Sequence, residues 1–542
     1  MDAVSPPVER GGQLFYTRRD KALEKPRLMV RPKASHGPSS GAAASGAAAS
    51  GAAASAAEHA STADRAGERV LIDANTLSPD GSVSLGSWFP SWDGKQVVYA
   101  LHENNADEAT LHLRDVATGK DSPIDVISGA KYAHPKWTPD NKGFYYEWLP
   151  TDPSIPVAER PGRTELRFHR LGTDPKTDPT VFPATLDPKT FLAGQLSHDG
   201  RWLIVNVQRG WQRTTIFVRD LQKNPQLTPV HGSVAAARSG GGGGAATLLS
   251  GKEALRRNEG LPQTPDKASS QTGEARAAAA ARELGFTPFV TDQDAIFNVE
   301  WWNGSFYVHT NYDAPNYRVL EVKPGSFDID DWREIVPETA AKLDQAQVLG
   351  NRLVLSYLEN ATSRVEITDL KGKRLRGVDL PGIGSVSALT GEPDRDEAYY
   401  SYSSFTVPNQ VYETHVSHGG SEIWSKIDLP LDTSKMQVEQ TWYASKDGTR
   451  ISMFVVHEAG IALDGSHPTL LYGYGGFSVD MTPAFSALIA VWLEHGGVYA
   501  MPNLRGGGEY GEAWHRAGML ANKQNTFDDF TAAAEHLITL GY

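Results

Sequence analysis

The sequence contains no cysteine and no long apolar run. Without cysteine the chain forms no disulfide and no cysteine-ligated zinc site, and it has no thiol nucleophile. No segment approaches the roughly 18 apolar residues of a membrane-spanning helix. The first residues, Met1 to Arg10, lack the apolar core of a secretory signal. These absences predict a cytoplasmic protein, or one whose natural N-terminus lies elsewhere.

Basic residues are also fewer than acidic residues. The chain has 52 Lys and Arg against 65 Asp and Glu, which gives a net charge of −13. Nucleic acids and anionic membranes require a basic face, so neither is expected as a partner. None of the 16 histidines forms an HExxH motif, and no metal or other cofactor is predicted. The 542 residues exceed what one hydrophobic core usually serves, so at least two domains are expected.

Two tracts lack the large apolar residues that a core requires. The first, residues 37–62, contains Gly-Ala-Ala-Ala-Ser three times in succession. The second, residues 233–281, contains the run Gly240 to Gly244 and then polar and alanine-rich sequence, of which Glu274 to Leu284 has helical character. Compositions of this kind are typical of flexible segments. Both tracts are predicted to be surface insertions.

A repeat emerges once these tracts are set aside. Seven tight-turn pairs are each followed by a short β-rich run, at intervals close to the roughly 40–50 residues of a four-stranded propeller blade. Residues 1–430 are therefore predicted to form a seven-bladed β-propeller, whereas ordinary hairpins in a β-sandwich are the alternative. The turn pairs are Gly11-Gly12, Asp93-Gly94, Asp140-Asn141, Asp199-Gly200, Asn303-Gly304, Gly350-Asn351 and Asp394-Arg395.

Beyond residue 431 the pattern changes. A hairpin over 438–456 is followed by strands at 468–472 and 497–504, which alternate with helices at 483–495 and 527–540. This alternation predicts an α/β domain with a largely parallel sheet. For the last helix, the sequence predicts Thr526 as N-cap, Asp528 and Asp529 as complements of the helix dipole, and Gly541 as terminator. Its predicted buried stripe is Phe527, Phe530, Ala534, Leu537 and Ile538.

Two catalytic motifs occur by pattern alone. Gly37-Pro-Ser39-Ser-Gly41 is the one Gly-x-Ser-x-Gly of the chain, but it lies in low-complexity sequence and not between a strand and a helix. Residues 506–511 match the dinucleotide fingerprint Gly-x-Gly-x-x-Gly. There Glu509 would set a carboxylate beside the pyrophosphate, so the glycines are interpreted as a tight loop.

A glycine-rich aromatic loop, Tyr472 to Phe477, follows a predicted strand end in the α/β domain. Ligands bind at strand C-termini in such sheets, and glycines let the backbone approach a ligand closely. The alternative is a turn whose aromatic residues only pack. His515, next to Trp514, is interpreted as a packing histidine and not as a base.

Three segments together resemble the prolyl oligopeptidase family of serine peptidases. They are Tyr-Gly-Tyr-Gly-Gly-Phe at 472–477, Asn-Leu-Arg-Gly-Gly-Gly-Glu-Tyr-Gly at 503–511, and Lys-Gln-Asn-Thr-Phe-Asp-Asp-Phe at 523–530. The resemblance implies a seven-bladed propeller that caps an α/β-hydrolase domain, of which residues 431–542 would be the N-terminal part. It also implies cleavage of short peptides after proline by a Ser-Asp-His triad without a cofactor, in a monomer.

The same resemblance assigns two site residues. Tyr474 corresponds to the tyrosine whose hydroxyl contributes to the oxyanion hole, and Phe477 corresponds to an aromatic wall of the proline pocket. The family's nucleophile elbow, its triad and its N-terminal segment have no counterpart in this sequence, so the chain is expected to be a truncated fragment that is inactive by itself. The alternative function is a non-catalytic propeller that binds peptides or proteins.

Overall fold

The computed structural model describes residues 2–33, 67–104, 106–210, 213–223, 277–387, 389–427 and 432–542. The predicted insertion 37–62, most of the insertion 233–281 and the predicted domain boundary at 430–431 lie outside these ranges. Within them, seven consecutive antiparallel sheets are followed by one mixed sheet. The seven sheets are the blades of the predicted propeller, numbered 1 to 7 in chain order.

Each blade uses strands that are consecutive in the chain. Blade 1 has Ala3–Val4, Val8–Arg10, Gln13–Arg19, Arg27–Pro32 and Arg69–Asp73; blade 2 has Val83–Pro90, Gln96–Glu103, Ala109–Asp115 and Asp121–Ser128; blade 3 has Lys136–Trp137, Gly143–Trp148, Glu165–Arg170 and Thr180–Phe182; blade 4 has Thr190–Leu196, Trp202–Arg209, Arg213–Asp220 and Thr287–Val290. Blade 5 has Phe297–Trp302, Ser305–Thr310, Arg318–Val322 and Arg333–Val336; blade 6 has Lys342–Leu349, Arg352–Glu359, Thr362–Thr368 and Arg374–Val378; blade 7 has Ser385–Val386, Thr390–Gly391, Glu397–Ser403, Gln410–His415 and Ser421–Ser425. Short 3-10 turns lie at Ala74–Thr76, Val157–Glu159, Pro161–Arg163, Pro175–Thr177 and Ile329–Asp331.

The seven predicted turns all occupy the same place in their blades. Each joins the innermost strand to the second strand. Left-handed glycines close several of them, for example Gly94 at φ +67° and Gly200 at φ +69°, as tight turns require. The turn at Asp394-Arg395 differs from these, because neither residue has a positive φ. In the second turn Ser91 Oγ donates to the Asp93 carboxylate at 2.7 Å, which ties the turn to the strand end.

The ring closes between blades 1 and 7 without any exchange of strands. Arg10 forms an ion pair with Glu392, and Arg395 Nη1 lies 2.7 Å from Glu9 Oε1. Thr390 Oγ1 also donates to the carbonyl oxygen of Pro7 at 3.3 Å. Side-chain contacts therefore hold the first blade to the last.

The α/β part has four strands and three helices. Met436–Ala444 pairs with Arg450–Glu458, which pairs with Val498–Pro502, and both pairings are antiparallel. Thr469–Leu471 is the edge strand and pairs in parallel with Val498–Pro502. The expectation of a largely parallel sheet is therefore wrong for the described strands, because the opening hairpin supplies half of them. The helices are Ala487–Glu494, Gly511–Arg516 and Gln524–Leu540, with a 3-10 turn at Leu520–Asn522.

The last helix differs from its prediction at its start and in its buried face. It begins at Gln524, and the Thr526 hydroxyl donates to the carbonyl oxygen of Arg505 at 2.7 Å instead of capping the helix. The buried residues are Thr526, Asp529, Ala533 and Leu537, so the stripe is rotated from the one predicted. Phe527 and Ile538 are 56% and 76% exposed. Gly541, at φ +86°, ends the helix as predicted.

Part of the predicted surface insertion 233–281 packs against the propeller. Residues 277–283 are helical, and Ala277 and Ala281 are buried. Ala281 lies in a hydrophobic cluster with Phe182, Phe217 and Phe286. The alanine-rich composition, interpreted as a sign of exposure, instead allows this helix to approach the aromatic side chains closely.

The α/β part rests on blades 5 to 7. Lys342 Nζ, at the start of blade 6, lies 2.8 Å from Asp480 Oδ2. Ser385 Oγ of blade 7 donates to the carbonyl oxygen of Pro483 at 2.7 Å. Phe405 packs with Phe454, Tyr499 and other apolar residues of the sheet. None of the helices in the described ranges combines the length and apolar character needed to cross a membrane.

The packing of Ala281 predicts a strong difference between two neighbouring substitutions. Ala281→Glu would place a carboxylate in an apolar cluster and is expected to lower the free energy of unfolding by at least about 2 kcal/mol. Ala279, on the exposed side of the same helix, is the matched control, and Ala279→Glu is expected to cost less than about 0.5 kcal/mol. Thermal and denaturant unfolding of the two variants measure the difference. Equal stabilities would show that this segment does not pack in solution.

Candidate active site

The aromatic loop and the triple-glycine loop pack backbone against backbone. Tyr472 N still pairs with the carbonyl oxygen of Ala500 at 2.9 Å, and the chain then turns away from the sheet at Gly475, where φ is +58°. A Cβ atom on Gly506 would lie 2.6 Å from the Gly475 carbonyl oxygen, and one on Gly475 would lie 2.4 Å from Thr526. Glycine is therefore required at both positions by close approach. Close approach also explains the other two glycines of the Gly-x-Gly-x-x-Gly pattern, because a Cβ atom on Gly508 would lie 2.6 Å from Asp480 Oδ1 and one on Gly511 would lie 2.2 Å from Asn316 Oδ1.

Two residues directly after these glycines have strained backbones. Phe477 and Ser478 have φ of +54° and +55°, which side-chain-bearing residues adopt rarely. Hydrogen bonds stabilise this conformation: Ser478 N donates to the carbonyl oxygen of Gly506 at 3.2 Å, and Val479 N donates to that of Gly476 at 3.0 Å. Strain that the surroundings hold in place is characteristic of functional loops.

The loop presents Tyr474 and Phe477 outward. Their side chains are 47% and 65% exposed. The Tyr474 hydroxyl has no hydrogen-bond partner among the residues that the structure describes, so it is available as a donor. The structure thus brings both predicted site residues together on one loop, while their roles in an oxyanion hole and a proline pocket remain predictions.

Lys523 and Thr526 fix the carbonyl oxygen between the two aromatic residues. The Lys523 ammonium donates to the Gly475 carbonyl oxygen, and Thr526 Oγ1 lies 3.4 Å from the same atom. Burial lowers the pKa of Lys523. The sequence showed Lys523 only as part of a family motif, and no local pattern points to its contact with Gly475.

Arg505 anchors the triple-glycine loop to the last helix. It is buried, and its Nη2 lies 2.6 Å from Oδ1 of Asp529, which is also fully buried. Its Nη1 lies 2.5 Å from Asp447 Oδ2. The hydrogen bond that Arg505 donates to Asp529 raises the pKa of Arg505, and the hydrogen bond that it donates to Asp447 lowers the pKa of Asp447. The prediction for Asp529 was interaction with the helix dipole, but its partner is this guanidinium.

Glu509 is a buried carboxyl group below the aromatic loop. Its Oε1 accepts a hydrogen bond from Met481 N at 2.8 Å and lies 3.3 Å from Asn503 Nδ2. Its Oε2 is buried without a hydrogen-bond partner in the described part of the chain. Burial raises the pKa of Glu509 to about 7. The carboxyl faces the protein interior, which agrees with the rejection of a dinucleotide site.

Two further sequence-based assignments concern histidine and metal. His515 is buried, and its Nδ1 lies 3.3 Å from Glu512 Oε2 within the same short helix. It therefore packs, as predicted. In the ranges described, no three His, Asp or Glu side chains converge to hold a metal ion. The Gly-x-Ser-x-Gly at 37–41 lies outside the described residues.

The comparisons with protein families cover both parts of the chain. The family model of the prolyl oligopeptidase N-terminal beta-propeller domain matches residues 1–238 and 266–427. The model of the prolyl oligopeptidase family matches residues 483–542. The chain belongs to the prolyl oligopeptidase family. Membership agrees with the observed propeller and with the α/β sheet that follows it.

Individual relatives support the same assignment. The prolyl endopeptidase of Elizabethkingia meningoseptica is 28% identical over 483 residues, which are 88% of this chain and 60% of that protein. Prolyl oligopeptidase A of Galerina marginata is 28% identical over 504 residues, or 89% of this chain and 61% of that protein. A solved prolyl endopeptidase structure, 44% identical, superposes with a TM-score of 0.80 and covers 100% of this chain and 67% of that one. The chain spans about 60% of the length of these curated relatives.

The raised pKa of Glu509 predicts a pH-dependent stability. Because the pKa of about 7 in the folded protein lies above the ordinary 4.5, the folded state binds this proton more tightly than the unfolded state does. Ionisation of Glu509 therefore removes stability as the pH rises from about 4.5 to about 7. Glu509→Gln keeps an acceptor for Met481 N and cannot ionise, so it is expected to gain stability over the wild type with rising pH, by up to about 3 kcal/mol.

Denaturant unfolding between about pH 5 and pH 8 measures this gain. The other buried acids titrate in both proteins and cancel in the difference. Glu494→Gln is the control, because it makes the same substitution at an exposed position at a helix end. Parallel profiles for wild type and Glu509→Gln would contradict the raised pKa.

Proposed function

We propose that this chain is the propeller and part of the catalytic domain of a serine endopeptidase that cleaves short peptides after proline. The observation that carries the proposal is the position of the strained aromatic loop. It presents Tyr474 and Phe477 outward, and it leads to Asp480, which forms the ion pair with Lys342 of the propeller. The two predicted site residues thus lie beside the junction of the two domains, where a substrate confined between them would bind.

The chemistry proposed is acyl transfer. A serine attacks the peptide carbonyl, a histidine carries its proton to the leaving amine, and an aspartate orients the histidine. The exposed Tyr474 hydroxyl would donate a hydrogen bond to the oxyanion that forms on the carbonyl oxygen. Phe477 would supply an apolar wall for the proline ring. Lys523 fixes the loop backbone between these two residues, and Arg505 anchors the triple-glycine loop on which the backbone packs.

The propeller is proposed to restrict the substrate to small peptides. A closed ring of seven sheets gives a polypeptide access to the junction only through a narrow path or by separation of the domains. The folded bulk of a protein substrate would not pass either way. Proline-containing peptides of a few residues are therefore the proposed partners.

The oxyanion role of Tyr474 predicts a specific kinetic effect. In an enzyme that completes this chain with the family's triad-bearing segment, Tyr474→Phe is expected to reduce kcat by about 10²–10³-fold with little change in KM. The hydroxyl meets a neutral carbonyl in the ground state and an oxyanion in the transition state, so its effect is concentrated in kcat. Steady-state kinetics with a short chromogenic peptide containing proline measure the change.

Tyr472→Phe is the matched control for this experiment. Tyr472 is 48% exposed, like Tyr474, but its amide still belongs to the sheet. Its variant is expected to lose much less activity. If the two variants behave alike, or if Tyr474→Phe raises KM with kcat unchanged, the oxyanion assignment is wrong and Tyr474 packs or positions the substrate.

The 542 residues by themselves are predicted to hydrolyse no peptide. Their one Gly-x-Ser-x-Gly lies in a Gly-Ala-Ser tract, so no serine is expected to have a base beside it. A fluorophosphonate probe should therefore not label the purified chain, whereas it should label a prolyl endopeptidase relative under the same conditions. Labelling at a single site that is lost on heat denaturation would contradict this. The alternative of a peptide-binding module would be favoured if the chain binds peptides but the probe never labels it, even when the family's triad-bearing segment has been added.

A further inference from the structure

The propeller encloses a cavity of about 620 Å³, a volume typical of small-molecule and peptide sites. Its wall is formed mainly by innermost and second strands of several blades. Much of the surface is apolar, with Phe89, Trp137 and Ile216 among the lining residues. The polar exceptions include one lysine, Lys136, and two asparagines, Asn206 and Asn298.

Lys136 lines this cavity without a counter-ion in contact. It starts the innermost strand of blade 3, and within the described ranges its ammonium makes neither a hydrogen bond nor an ion pair. The nearby acid, Glu147, is occupied elsewhere: its Oε1 accepts from Gly194 N at 2.7 Å and its Oε2 accepts from His134 N at 2.8 Å. Burial lowers the pKa of Lys136 and raises that of Glu147. A partly buried ammonium with no partner leaves room for an anion.

The other charged groups of the cavity wall, Arg10 and Glu300, do not act as a counter-ion for Lys136. Arg10 forms an ion pair with Glu392 where the ring closes. Glu300 accepts a hydrogen bond from Val348 N at 2.9 Å, and burial raises its pKa to about 7. Glu300 is thus held by a backbone amide and repels a second anion less than an ordinary carboxylate would.

Asn206 provides a second unsatisfied group in the same cavity. Its Oδ1 is buried and has no hydrogen-bond partner in the part of the chain that the structure describes. An unpaired buried acceptor costs free energy unless a ligand or water donates to it. The cavity therefore combines a cationic donor, Lys136, with a neutral acceptor, Asn206.

We propose that the propeller cavity binds the free C-terminal carboxylate of a short peptide, with Lys136 as the cationic partner of the carboxylate. Asn206 accepts a hydrogen bond from a peptide N–H of the same ligand. The apolar walls contact its side chains. This inference rests on the proposed function, which brings short peptides to the propeller, and it adds a binding site for the end of the peptide that the aromatic loop does not hold.

Binding to the 542-residue chain tests the proposal without any need for catalysis. The probes for titration calorimetry are an N-acetylated Ala-Ala-Pro-Ala peptide with a free carboxylate, the same peptide as its C-terminal amide, and sodium acetate. The acid is expected to bind about tenfold more tightly than the amide, the order of one hydrogen bond to a charged group. Lys136→Met should bring the two affinities together, and Lys136→Arg should keep the preference.

Lys131→Met is the matched control. Lys131 lies 3.1 Å from Asp107 on the surface, and its loss should leave the tenfold preference unchanged. Equal affinities for acid and amide in the wild type would overturn the proposal, as would a preference that survives in Lys136→Met. If Lys136→Met does not fold, Asn206→Leu provides a second test, because it leaves Lys136 intact. Loss of the preference for the acid peptide in that variant would overturn the assignment of Lys136 as the partner of the carboxylate. Displacement of the acid peptide by millimolar acetate would show that the cavity binds free carboxylic acids. It would overturn the proposal that the ligand is a peptide.

A separate variant distinguishes this inference from the proposed function. Phe477→Ala should leave the ratio of the acid and amide affinities unchanged, because Phe477 does not line the propeller cavity. If the acid is still preferred through Lys136 while Phe477→Ala leaves the kcat/KM of the completed enzyme unchanged, the proline pocket is wrong and the carboxylate site stands. If Phe477→Ala lowers kcat/KM and no acid preference exists, the carboxylate site is wrong and the proline pocket stands.

Discussion

Closure of the propeller ring is the constraint on which the rest of the structure depends. Every blade is made of consecutive strands, so hydrogen-bonded pairing within a sheet does not join blade 7 to blade 1. The contacts of Arg10 with Glu392 and of Arg395 with Glu9 do so instead, together with the packing of Tyr16 on Trp424. The innermost strands can enclose a cavity, and blades 5 to 7 can form a platform for the α/β part, only while this seam is closed. Ion pairs at the seam are screened by salt, whereas the apolar contacts inside each blade are not.

Backbone amides hold several buried acids in this protein. Glu147 and Glu300 in the propeller and Glu509 below the aromatic loop each accept a hydrogen bond from a backbone N–H of a neighbouring segment. Such a bond joins two segments with little demand on side-chain packing, and a protonated carboxyl can still accept it, although less strongly. Burial raises the pKa of all three. These acids therefore connect neighbouring segments, whereas Arg505 with Asp529 and Lys342 with Asp480 form ion pairs.

The two candidate binding regions have different chemistry. The aromatic loop presents a phenol and a phenyl ring on a strained backbone, which suits a peptide carbonyl and a proline ring. The propeller cavity presents an ammonium and an amide between apolar walls, which suits a charged end of a chain. A substrate confined by the propeller would meet both kinds of surface. Residue contacts at the junction, such as that of Ser385 with Pro483, set how the two regions face each other.

Much of the fold followed from the sequence alone. The spacing of the seven turns determined the number of blades, because each blade needs one tight reversal between its first two strands, and the alternation after residue 431 determined an α/β unit. The loop of Tyr474 and Phe477 was also located, because glycines and aromatics follow a strand end. Only the tertiary structure decided that Ala281 packs, and that Thr526 and Asp529 contact Arg505 and not the helix terminus. It also decided that Lys136 lines a cavity without a hydrogen-bond or ion-pair partner among the described residues. Those contacts join segments far apart in the chain, and local periodicity carries no information about which distant group will satisfy a buried charge.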